Sequence, residues 1–126
     1  MTHLNLWSAW VGVLAGMASG AVMGLAFHDE RWLGGYGSWP RRMLRLGHIA
    51  FFGLGLLNIA FVFSARALAL ERGMRLPSVL LIVGTITMPL VCYLAAFRTG
   101  FRQFFAIPAL AVTAAIAAFL WRMWQS

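Results

Sequence analysis

The chain has 126 residues, 62% of them hydrophobic and only 10% charged, with a formal net charge of +7 at pH 7. Soluble domains carry roughly 25% charged residues, so the three acids (Asp29, Glu30, Glu71) and ten bases, all arginine, cannot cover a water-exposed surface. A mean hydropathy of +0.82 points to a bilayer instead. The arginines fall between apolar runs and form no stripe interleaved with stacking aromatics, which argues against a nucleic-acid partner. The one cysteine, Cys92, cannot form an internal disulfide or run thiol exchange.

Four stretches lack charge for about the 20 residues that a helix rising 1.5 Å per residue needs to cross a bilayer: 7–27, 46–65, 76–97 and 103–121. Each is expected to be helical, because lipid tolerates no unpaired backbone and so short a chain cannot close a barrel. No Lys or Arg precedes the first run, so it is expected to be a retained span, not a cleaved signal. It carries Ser8, Gly12, Gly16, Gly20 and Gly24 at four-residue spacing. This line of small residues drifts about 40° per step and forms a shallow glycine-zipper groove for close helix approach. The groove serves packing within the monomer or a seam between copies.

His28 ends this span. The loop expected at 29–46 has an uncharged aromatic stretch from Trp32 to Trp39, suited to lying in the headgroup layer. His48 opens the second span, and Asn58 lies deep within it, where it is expected to bond across to a neighbouring helix. Pro77 suits the first turn of the third span. Pro89 and Pro108 are expected to kink the third and fourth spans by freeing the carbonyls of Thr85 and Phe104. Thr85 joins Asn58 as a membrane-embedded polar residue.

The six tryptophans fall at span ends (Trp7, Trp10, Trp32, Trp39, Trp121, Trp124), the pattern of an interfacial aromatic belt. Arg66, Arg72, Arg75 and Arg122 would share one side with both termini. Arg31, Arg41, Arg42, Arg45, Arg98 and Arg102 would lie on the other. The larger group favours termini on the non-cytoplasmic side. No acid or arginine lies within a span, which removes the carboxylate that proton-coupled transport needs.

His28 and His48 would sit near one membrane face. Two neutral imidazoles on adjacent helices can ligate one haem b iron, with Arg31 and Arg45 placed to fork onto its propionates. A non-haem metal held by His28 and His48 with Asp29 and Glu30 is a second possibility, and no cofactor a third. No paired acids or nucleophile–base set is present, so no catalytic residue is assigned. The expected architecture is one all-α domain, a four-helix transmembrane bundle running up-down-up-down. The expected function is a non-catalytic accessory or electron-transfer subunit of a membrane complex. A small oligomeric transporter or channel, or a cofactor-free scaffold or lipid-binding protein, is the alternative. Expected partners are the bilayer and either further copies or a larger membrane complex.

Overall fold

The computed structural model describes residues 2–70 and 72–126. It contains four long helices: α1 (Thr2–Ala26), α2 (Trp39–Ala67), α3 (Arg75–Phe97) and α4 (Ala106–Trp124). All are long and apolar enough to cross a membrane. They form an antiparallel bundle in which α2 packs between α1 and α3, α1 also meets α3, and α4 leans on α3.

Three helix starts differ from the sequence expectation, and α1 begins at Thr2, ahead of the expected residue 7. α2 begins well before residue 46, because Ser38 accepts a hydrogen bond from the Arg41 backbone N–H while Pro40 occupies the first turn. Both are helix-start signals that hydropathy ignores. Arg41, Arg42 and Arg45 therefore ride on the first turns of α2, and the connection from α1 is shorter than expected. Pro108 does not interrupt the fourth helix. Residues Thr99–Phe105 form a 3-10 segment that runs directly into α4, and Pro108 lies in the first α-helical turn after that junction. Pro89 does lie within α3, which continues through it to Phe97.

Apolar packing concentrates at the two ends. Phe61, Val62, Ala65, Met74, Leu81 and Ala115 fill the end that carries the described termini. Met23, Met43, Leu44, Ala95 and Ala96 fill the other. Between them, glycines bring backbones together. A Cβ on Gly16 would lie 2.8 Å from the Phe52 ring, and one on Gly55 would lie 3.2 Å from the Ala9 carbonyl. α1 and α2 thus interlock through small residues on both sides, and Gly84 of α3 receives Val112 of α4 in the same way. At the terminal end, Gly73 adopts φ +86°, and Arg122 covers it while donating to the Arg72 carbonyl at 3.2 Å. This contact ties α4 to the α2–α3 turn, and a side chain at position 73 would meet both backbone strain and the guanidinium.

Candidate functional site

Three polar arrangements are built into the bundle. The largest joins α1, α2 and α3 near the terminal end. Asn5 Nδ2 donates to Asn58 Oδ1 at 2.7 Å and to the Ser78 carbonyl at 3.2 Å. Ser78 Oγ donates back to Asn5 Oδ1. Asn58 Nδ2 donates to Thr85 Oγ1 at 2.8 Å and to the Leu54 carbonyl at 2.9 Å, and Thr85 Oγ1 donates to the Leu81 carbonyl. Asn5 and Asn58 are fully buried, and both amide hydrogens of each are used. A buried amide is costly only when a donor is left over, and here none is.

The second arrangement closes the opposite end. Arg41, only 3% exposed, donates to the carbonyls of Phe27, Asp29 and Glu30 at 3.4 Å each. Its guanidinium also lies 4.8 Å from the Phe27 ring centroid and 5.6 Å from that of Trp32. A cation at the end of α1 meets the carbonyl-rich negative end of the helix dipole, so one side chain holds helix terminus and loop together. Arg45 acts similarly one turn on, donating to the Tyr36 carbonyl at 2.9 Å and stacking 4.0 Å from its ring. The Trp39 indole donates to the Ala95 carbonyl at 2.7 Å, satisfying one of the last acceptors of α3.

The third arrangement contains His48. Its Nδ1 lies 3.2 Å from Ser19 Oγ, and its ring stands edge-on to Phe52 at 5.2 Å. Its Cε1 would lie 2.6 Å from a Cβ on Gly20. His48 is therefore level with Gly20, whereas His28 is exposed just beyond the end of α1. Six residues of helix, about 9 Å along the axis, separate Gly20 from the end of α1, and His28 follows in the turn. Ser19 and Phe52 are the side chains that His48 engages among the described residues. Arg31 is exposed, its backbone N–H bonded to the Asp29 side chain, and Arg45 is committed to Tyr36. Among the described residues, no three His, Cys, Asp or Glu side chains cluster as metal ligands.

The glycine line divides. Gly12, Gly16 and Gly20 face α2 or α3 inside the monomer, while Gly24 has open space around it. Asn5, Ser78 and Arg41 are the structural polar residues that sequence reasoning missed. Asn5 continues the buried face of α1 through Ala9, Gly12 and Gly16 at helical spacing, but it precedes the apolar run. Extending that face one turn toward the N-terminus would have found it.

No protein-family model, curated protein or solved structure matches the chain. Fold and composition define its class, a small multi-pass helical membrane protein.

Proposed function

We propose that the chain is a non-catalytic accessory subunit of a membrane assembly. The observation that carries this reading is the closed Asn5–Asn58–Ser78–Thr85 network, which occupies the junction of three helices with every amide hydrogen satisfied internally. A conducting path would have to open where this network locks the helices, so a rigid structural role suits the bundle better than transport. The outer face of α4 supplies a place for a partner helix. Ala109, Thr113 and Ala117 are small, exposed and four residues apart.

Purification in mild detergent, with accurate mass determination, tests this reading. The expected result is an assembly of fixed stoichiometry that falls apart on Ala109→Leu/Thr113→Leu while the bundle melts as before. A monomer that drives solute flux in liposomes, with flux lost on Asn58→Leu, would overturn it. An electron-transfer version of the role would need iron on His48, and the visible spectrum decides that point.

A further inference from the structure

A hollow of about 450 Å³ opens sideways between α1 and α3, within the size range of small-molecule sites. α1 contributes Trp7, Ser8, Gly12 and Ala15, α3 contributes Ile82 and Ile86, and Phe51 of α2 lies behind them. The rim faces outward: Trp7 is 71% and Ile86 60% exposed. Gly12 and Ala15 leave the space that larger side chains would fill. Thr85 also borders the hollow, but its hydroxyl is engaged with Asn58 and Leu81. Ser8 makes no side-chain hydrogen bond with any described residue, so one free hydroxyl stands in an otherwise apolar wall.

Length and order along the site select the occupant. On α1 the lining inward of Ser8 runs to Ala15, about 10 Å at the helical rise. One leaflet of a roughly 30 Å hydrocarbon core is about 15 Å deep. A partner helix would cross both leaflets, whereas a lipid chain enters from one. The hollow starts at the terminal end of the bundle, where Arg75 opens α3 and is exposed. At 100° per residue, Arg75 lies within about 20° of both Ile82 and Ile86 on the surface of α3. Arg75 stands at the outer end, and inward of it come a free hydroxyl at Ser8, flanked by Leu4 and Trp7, and then the apolar slot from Val11 to Ala15. Phosphate, ester and acyl chain follow in the same order along a glycerophospholipid.

We propose that this hollow is a specific site for one acyl chain of an anionic glycerophospholipid in the leaflet at the terminal end. Arg75 pairs with the phosphate and Ser8 Oγ donates to an ester carbonyl.

The test reconstitutes the full chain in vesicles of equimolar phosphatidylglycerol and phosphatidylcholine, extracts it in mild detergent and counts retained lipids by native mass spectrometry. One phosphatidylglycerol per chain is expected. Ser8→Leu/Ala15→Leu fills the slot and should abolish retention. Arg75→Gln lies outside the packed core, so it reports even if the filled variant fails to fold. It should keep one lipid but lower the preference for phosphatidylglycerol about fivefold, the equivalent of one headgroup arginine. Equal retention by wild type and filled variant would overturn the site, as would unchanged headgroup preference in Arg75→Gln. A dimer that the filled variant converts to monomer would assign the hollow to a second copy and likewise overturn the proposal.

Discussion

Asn58 makes three hydrogen bonds with its side chain, to Asn5, Thr85 and the Leu54 carbonyl. Side-chain hydrogen bonds between membrane helices average about 0.6 kcal/mol each, so Asn58→Leu should cost about 2 kcal/mol, including the half-satisfied Asn5 amide it leaves behind. Unfolding by detergent titration measures this. A loss below about 0.5 kcal/mol would mean that the network adds little to stability. Arg41 carries a different load, because one planar fork reaches three carbonyls while its face meets two rings. Arg41→Ala should cost about 2 kcal/mol, the upper range for a partly buried cation at a helix C-terminus, and should speed proteolysis between residues 28 and 38. Arg41→Lys should recover less than half of the loss, since an ammonium cannot span the same acceptors. Full recovery by lysine would reduce the role to charge alone.

At the scale of elements, the α1–α2 seam depends on which glycines meet a neighbour. An added methyl at Gly20 would overlap His48, whereas one at Gly24 meets nothing within 4 Å. Gly20→Ala should therefore destabilise by about 1–3 kcal/mol through overpacking. Gly24→Ala should be neutral or stabilising by up to about 1 kcal/mol, from reduced unfolded-chain entropy. A double-mutant cycle with His48→Ala checks the cause: Gly20→Ala should cost much less once the imidazole is gone. The sequence displayed the glycine line in full. It did not say whether α2 or a second copy faces that line, because the spacing describes a groove and not its occupant. Likewise the start of α2 is written in Ser38 and Pro40, signals that hydropathy does not register. Arg41, Arg42 and Arg45 broke the apolar run without breaking the helix.

For the whole molecule, the depth of the histidines governs the cofactor question. A haem sandwiched between His28 and His48 predicts a Soret band that either His→Ala variant removes. His48 sits at the level of Gly20 and His28 just beyond the end of α1, so the band, if both rings ligate, requires the exposed turn after Ala26 to carry His28 toward His48. A reduced-minus-oxidised spectrum from haem-replete cells checks this, and a band lost only in His48→Ala would mean electron transfer with a different second ligand. The bundle is also lopsided, with α2 and α3 central and α4 held chiefly by α3. An outer helix with so few internal neighbours is the natural place for contact with other membrane chains.

By itself the sequence determined the number of membrane-crossing helices, their antiparallel order and the all-helical class. A hydrocarbon layer admits only long uncharged helices, and hydropathy reads those directly. Only the tertiary structure decided which face of each helix turns inward and at what depth neighbours meet. In water the buried face of a helix is marked by its contrast with a polar one. In lipid both faces are apolar, and that contrast disappears. The pairing of Asn5 with Asn58 and Ser78, across 53 and 73 residues of chain, and of His48 with Gly20, depends on helix rotation and axial register. Those are fixed by how small and large side chains interlock across the seams, which no single helix records.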